Sequence, residues 1–320
     1  MRHIFIINPK SFRKVSDMEA VIAGIRDFFK TREDCFIYVS QFPRDAIGVI
    51  RERAKDIPEE ERFRVYAVGG DGILFDCLNG IVGLPNAELA SVPYGRSNDF
   101  IRAFGEDRAD LFRDIALQAA APAVPTDLIY YGNNYALNVC TIGMESVAVI
   151  KMAEINKKHR RILAWFPGLY DFMFFLGGVV GLFDQQLIFQ YYRITIDGRD
   201  YSGNYAAINI SNGPCYGGNK SAVPTAVPND GLLDVCLFKS MGTLKLFSVI
   251  SGYLKGKVKP KYRTLVRARK IDIRSELPLL IEMDGEVLFD TNITVEVAAG
   301  AIRFAAVKDL QYEKRAEFNG

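Results

Sequence analysis

The stretch RVYAVGGDGILFDCL, residues 64–78, governs the reading of the whole chain. The run RVYAV is apolar over consecutive positions, as in a parallel strand buried on both faces. Gly69-Gly70-Asp71-Gly72 then falls where that strand ends and a helix begins. Free backbone N–H groups and the positive end of the helix dipole gather at such a junction, and glycines let an anion approach the backbone closely. The natural ligand is a phosphate, although a strand-to-helix turn can be rich in glycine merely to turn. The run is neither G-x-G-x-x-G nor a Walker loop, which argues against a dinucleotide oxidoreductase or a P-loop NTPase.

The same alternation extends outward on both sides. Strands are expected at 3–7, 35–40, 63–68 and 88–92, with helices at about 16–30, 44–55 and 73–82, the rhythm of a parallel α/β sheet. From about residue 123 the chain becomes rich in β-branched and aromatic residues. Asn133-Asn134, Asp197-Gly198, Asp230-Gly231 and Asp284-Gly285 punctuate it like hairpin turns. The expected fold is therefore a parallel α/β domain over 1–126, then a mostly antiparallel β-rich domain over 127–307, with the site in the cleft between them. A C-terminal helix over 308–320 packs back on the first domain. The length of 320 residues agrees with two domains.

Composition narrows the function classes. Forty Lys and Arg against 38 Asp and Glu leave a formal charge of +2, too balanced for nucleic acid to be the default partner. Five cysteines without a C-x-x-C pair, and only two histidines, make a zinc framework a poor reading. No apolar run near the N-terminus is long enough for a secretory signal, so a reducing cytoplasm is the simplest setting.

Two further strand ends carry polar equipment, Asn8-Pro9-Lys10-Ser11 after the first strand and Pro93-Tyr94-Gly95-Arg96-Ser97-Asn98-Asp99-Phe100 after the fourth. In an open parallel sheet ligands bind beyond the carboxyl ends of the strands, so three loops converge on one crevice. Taken singly, Ser97, Asn98 or Asp99 serves equally well as an N-cap of a helix opening at Phe100. Asp230-Gly231 and Asp284-Gly285-Glu286 likewise serve equally well as turns.

Taken in order, the set Asn8-Pro9-x-Ser11, Gly69-Gly70-Asp71-Gly72, Pro93-x-Gly95-x-x-Asn98-Asp99-Phe100, Asn138 with Gly143, Gly217-Gly218 with Pro224, Asp230-Gly231-x-Leu233-Asp234-Val235 and Asp284-Gly285-Glu286 resembles the diacylglycerol kinase catalytic-domain family, over nearly the whole chain. The resemblance implies an ATP-dependent lipid kinase that moves the γ-phosphoryl group to the hydroxyl of diacylglycerol or a sphingoid-like alcohol. It implies a nucleotide site lined by Asn8, Pro9, Lys10, Ser11 and Phe12, by Ser40, by Gly69, Gly70, Asp71, Gly72 and Ile73, and by Arg96, Ser97, Asn98 and Asp99. Asp284 and Glu286 match its acidic catalytic motif. A structural Mg²⁺ site maps to Asp230 with the carbonyls of Val227 and Leu232, and Asp127 belongs to the acidic network behind it. Such chemistry needs positioning and charge neutralisation rather than His or Cys. The chain departs from the family at Phe12, Ile73 and Arg96, where Gly, Thr and Thr are usual, and at Gly143-Met144-Glu145-Ser146, where Gly-x-Asp-Ala is usual.

A lipid acceptor implies a cytoplasmic enzyme that visits the inner face of a membrane peripherally, with no nucleic-acid partner; a homodimer is compatible with it. The apolar stretch 162–183 carries one charge, Asp171, and is broken by Pro167-Gly168 and Gly177-Gly178, which favours surface contact over spanning. Lys151 to Arg161 and Lys255 to Arg274 are basic runs suited to anionic lipid, or to a solvated face. Two rival readings remain, an NAD kinase-like enzyme sharing the Gly-Gly-Asp-Gly loop, and a non-catalytic nucleotide- or lipid-binding protein suggested by Ile73 and Arg96.

Overall fold

The computed structural model describes residues 1–30, 34–105, 107–147, 189–218 and 220–313. Strands β1 (Arg2–Ile7), β2 (Cys35–Val39), β3 (Phe63–Gly69) and β4 (Ala87–Pro93) alternate with helices α1 (Val15–Phe28), α2 (Asp45–Ala54) and α3 (Asp71–Ile81). All three strand pairings are parallel, in the order β4-β3-β1-β2. Every residue of β3 and of β4 is buried, which is why their sequences show no polar alternation. Short helices α4 (Ala109–Arg113) and α5 (Ile115–Ala120) lead out of this layer.

The β-rich half holds β5 (Ala123–Tyr131), β6 (Asn134–Ala136), β7 (Val139–Gly143), β8 (Tyr191–Ile196), β9 (Arg199–Asp200), β10 (Gly203–Ser211), β11 (Leu233–Lys239), β12 (Arg263–Ala268), β13 (Lys270–Met283) and β14 (Glu286–Ala305). A helix over Thr243–Tyr253 covers it through Leu246 and Tyr253, which pack with Phe238. Pairing in this half is antiparallel, and β8 shows the alternation of a strand with one wet face.

The two halves share one sheet, in the order β12-β11-β10-β7-β13-β14-β4-β3-β1-β2. The seam is β14, antiparallel to β13 and β5 and meeting β4 where Phe304 faces Leu89. Position 126, where the composition suggested a division, lies inside β5. Phe304, Val307 and Tyr312 are buried in the same core as Ile4, Phe5 and Phe63, so the chain packs on the first half as far as Tyr312. It does so without the expected helix as far as it is described. Val307–Asp309 is one 3-10 turn with Lys308 at φ 52°, and 310–313 are not helical. One expected turn shifts by a residue: Tyr131 pairs with Asn134, so Gly132-Asn133 makes the hairpin, Gly132 supplying a φ of 62°. Of the helix expected at 144–158, residues 144–147 are helical; the rest, with 162–183, lies outside the described residues.

A buried ionic knot stitches the layers at the end of the sheet remote from the glycine loop. Arg64 on β3 donates to Glu88 on β4 at 2.6 Å, both side chains 3% exposed, and to the Ala121 carbonyl at 2.7 Å. Arg303 on β14 lies 3.8 Å from the same carboxylate. Removing one member of such a pair strands a buried charge, so Glu88→Ala should lose about 3–5 kcal/mol in urea unfolding. A loss below ~1 kcal/mol would show that water already reaches the knot.

Candidate active site

The first strand end is organised around Gly69. Asn8 donates its N–H to the Val68 carbonyl at 3.0 Å, and its side chain caps the turn Pro9–Ser11 by accepting from the Lys10 N–H at 3.0 Å. A Cβ on Gly69 would sit 2.8 Å from Ile73 Cγ2, 2.9 Å from Ser11 Oγ and 3.1 Å from Asn8 Cβ. The Asn-Pro-x-Ser and Gly-Gly-Asp-Gly runs are thus one packed unit. Ile73 is buried in the core and Phe12 packs on Tyr94 with ring centroids 4.9 Å apart, so these two departures from the family pattern form wall. Lys10 and Arg96 are exposed at the rim.

The second contact is between backbones. Register places Gly69 opposite Pro93, and both Tyr94 and Gly95 donate to the Gly69 carbonyl, at 2.8 and 2.9 Å. A Cβ on Gly95 would fall 2.2 Å from Gly70 Cα. Asn98, at φ 49°, closes the loop by exchanging hydrogen bonds with Gly95 at 3.0 and 2.8 Å. Gly70, the N-cap of α3, offers no side chain to the first turn, whereas a Cβ on Gly72 would meet nothing within 4 Å. The result is an open, glycine-floored cradle at the first turn of α3, where a helix leaves its N–H groups without intrahelical partners, which suits the phosphates of a nucleotide.

Carboxylates from both halves meet beside this cradle. Asp71 accepts from the Asp99 N–H at 2.8 Å, and Asp99 in turn accepts from the Gly218 N–H at 3.0 Å, joining the glycine-rich loop of the β-rich half to the α/β half. Ser97 faces Gly218 across the same lip. Burial, then the nearby charges of Asp99 and Asp284, push the Asp71 carboxyl well above the usual range. Asp284 and Gly285, with φ 47° and 98°, form a two-residue turn between Met283 and Glu286, so the residue is at once a type I′ hairpin corner and a cleft carboxylate. Its oxygens accept the N–H groups of Leu137, Asn138 and Val139 at 2.6, 3.1 and 3.0 Å. Burial raises its pKa to about 6 despite those three donors, with the Asp99 charge adding to the rise.

Glu286 faces elsewhere. Its carboxylate lies 3.0 Å from Arg44 Nη2, so the hairpin tip is tethered across the cleft to the loop before α2. Arg44 sits at φ 67° with its N–H on the buried Asp76 at 3.1 Å. Nothing in the sequence marked Arg44, because its partner is more than two hundred residues away. Glu282 was also missed, although Glu282, Asp284 and Glu286 alternate in the sequence. It is buried, accepts from Thr141 at 3.1 Å, and has a pKa pushed to about 8 by burial and by Asp284. Behind it Glu145, raised by burial, accepts hydrogen bonds from Tyr216, Tyr253 and Asn209.

Two expected positions stand apart from the cradle's polar groups. Ser40 turns its hydroxyl onto Asp45 at 2.7 Å, where Tyr38 also donates at 2.9 Å, so it serves the start of α2. The turn holding Val227, Asp230 and Leu232 is arranged for an ion pair. Asp230 is held by Arg267, whose Nε also lies 3.6 Å from Asp234, and the Val227 carbonyl already accepts the Asn229 N–H at 2.9 Å. Arg267 thus occupies the carboxylate expected to hold a structural Mg²⁺, and no cluster of three or more metal-ligating side chains occurs among the described residues. Asp127, behind this turn, accepts from Gly231 and Gly300, both at 2.7 Å.

A glycine-floored cradle at a helix start, faced by carboxylates from a β-rich half, is suited to phosphoryl transfer. Residues 2–129 match the family described as the diacylglycerol kinase catalytic domain, and residues 180–306 match the YegS C-terminal NAD kinase beta sandwich-like domain. The chain belongs to the diacylglycerol kinase catalytic-domain family. A Staphylococcus aureus protein provisionally named a lipid kinase is 25% identical over 286 residues, 86% of this chain and 87% of its own length. Two Bacillus anthracis crystal structures, provisionally named diacylglycerol kinases, share the fold at TM-scores of 0.72 and 0.73. They are 23 and 22% identical, and cover 96 and 97% of this chain and 98% of theirs. Among the described residues no helix is long and apolar enough to cross a membrane.

Two outcomes test this geometry. Gly95→Ala should cost about 1–3 kcal/mol in thermal or urea unfolding, because its Cβ meets backbone, while Gly72→Ala should match or exceed wild type. Equal stability of the two would mean the strand ends are not in contact. Glu282, with a folded-state pKa of about 8 against an ordinary 4.5, favours folding while protonated; that contribution is complete below about 4.5 and lost as pH rises through about 8. Glu282→Gln should therefore melt roughly 3–6 °C above wild type at pH 9, the gap closing by pH 4.5. A gap independent of pH would place the carboxylate in water.

Proposed function

We propose that the protein is an ATP-dependent lipid kinase that phosphorylates the hydroxyl of diacylglycerol or a related lipid alcohol. The observation that carries this reading is that Asp71 and Asp284, one from each half, lie near enough beside the glycine-floored cradle for the charge of Asp284 to raise the Asp71 pKa. ATP would rest its phosphates on the N–H groups at the start of α3, with Asn8, Ser11 and the 95–99 loop around it. ATP supplies the phosphoryl group, and a Mg²⁺ ion arriving with it would be welcome where carboxylates crowd with raised pKa values. Arg96, exposed on the same loop, would meet phosphate from the rim.

Phosphoryl transfer asks the protein mainly to position the groups and neutralise charge. An alcohol is a poor nucleophile at neutral pH, and Asp284 would take its proton during attack. The three backbone donors that hold its carboxylate keep it aimed and lower its pKa against the effect of burial. With a pKa near 6 it is charged at pH 7 yet still basic enough to serve. Glu286, tethered by Arg44, would hold the hairpin tip, and so Asp284, in register with the nucleotide. The enzyme would work from the cytoplasm on lipid at the inner face of the membrane.

The test is transfer of radiolabelled γ-phosphate from ATP into a panel of lipid alcohols, with NAD as the competing acceptor. Asp284→Asn should lower kcat by about 10²- to 10⁴-fold with nucleotide affinity little changed. Wild-type kcat/KM should fall as pH drops through about 6, since the base must be unprotonated. Full turnover in a folded Asp284→Asn protein removes this residue from the step, and labelling of NAD alone removes the lipid reading.

A further inference from the structure

We infer that the face built by the helix Thr243–Tyr253, the loop 255–262 and the edge strand β12 is a docking surface for an anionic lipid bilayer. Residues 235–271 contain ten lysines and arginines and no aspartate or glutamate. The loop sorts them physically: Gly256 and Val258 are buried while Lys255, Lys257, Lys259 and Lys261 are exposed, so the ammonium groups project from the solvent side of one short segment. Lys245, from the first turn of the helix, joins them. Its Nζ lies 5.3 Å from the Tyr262 ring centroid, and Lys261 Nζ lies 5.0 Å from the same ring.

Apolar groups stand among these charges. Leu244, 89% exposed, is the most exposed large apolar side chain of the described residues, and Leu265 on β12 is 47% exposed. Between β12 and the lysine loop a recess of about 320 Å³ opens, lined by Val223, Pro224, Gly256, Arg263 and Leu265 among others. Exposed leucines on a face rich in lysine and arginine match a surface with anionic headgroups above an apolar interior. A duplex nucleic acid would use the lysines but leave both leucines in water.

The face is one loop removed from the cleft. Ser221 donates to the Leu254 carbonyl at 2.8 Å, and Gly256 packs so closely on Pro224 that a Cβ would fall 2.4 Å from its Cδ. The same loop carries Gly218, whose N–H binds Asp99 at the lip of the nucleotide cradle. Docking would thus bring the β-rich lip of the cleft to the bilayer. This rests on the reading of the cleft as a lipid-alcohol kinase only for its purpose; the surface chemistry stands by itself.

The test is sedimentation with vesicles of phosphatidylglycerol and phosphatidylcholine, compared with phosphatidylcholine alone. The full chain should bind the anionic vesicles, less at 0.5 M salt. The triple variant Lys255→Gln, Lys259→Gln, Lys261→Gln should lose on the order of a hundredfold in affinity, at a few-fold per lysine, and Leu244→Ser should weaken binding without lowering the melting temperature. Activity on a water-soluble short-chain diacylglycerol should stay unchanged in both variants. Equal vesicle binding by wild type and triple variant overturns the inference, as does tighter binding to a duplex RNA than to vesicles. Anionic-vesicle binding that is lost in the triple variant of a protein phosphorylating no lipid alcohol would retain the docking surface and remove the kinase reading, so the two fail separately.

Discussion

The contact on which the rest of the structure depends is the approach of two backbones, Gly70 against Gly95, with no room for a single methyl group between them. Parallel pairing of β3 with β4 in register delivers Gly69 opposite Pro93, and the two strand ends then touch. From that contact follow the start of α3 and the loop to Asp99. Through Asp99 and Gly218 it also helps set how the β-rich half leans on the α/β half. Glycine is required here because side chains would push the loops apart.

Charge is distributed around this contact with a clear asymmetry. Negative groups collect inside: Asp71, Asp284, Glu282 and Glu145 all have pKa values raised by burial, and all are supplied with donors, some from backbone and some from hydroxyls. Such a site is most comfortable when a cation or a proton arrives. Positive charge stands at its edges, with Arg44 on the hairpin tip and Arg267 on the Asp230 turn. The Arg267 contact gives the outer turn a cation of its own in the form of a side chain.

The α/β half was legible because burial on both faces writes itself as consecutive apolar residues, and its strand limits are reproduced to within about two residues. Its three polar strand ends do converge. The convergence of Asp284 was legible only through its motif, for as a local sequence Asp-Gly is a hairpin turn, and it is that too. Arg44 escaped because its significance lies in a partner brought near by the closing of the sheet. Ser40 misled for the opposite reason. A hydroxyl at a strand end could face a ligand or the next helix, and Asp45, five residues on, claims it at 2.7 Å. The chain after Val307 reads as helical by composition, yet Tyr312 is buried against Phe104 at 4.5 Å between ring centroids, and aromatic packing outweighs propensity there.

The seam strand β14 gives the protein a particular birth order. During synthesis the parallel strands emerge first, but Leu89 on β4 waits for Phe304, and the shared core waits for Val307 and Tyr312, made some two hundred residues later. Until then β4 and β5 present edges without their partner, and apolar side chains meant for β14 face water or a chaperone. Pairings so distant in sequence are slow to form, because the closure of a long loop precedes any reward from the contact. The polypeptide is therefore committed late: its two halves are finished by the same stretch of chain, and neither reaches its native core ahead of the other.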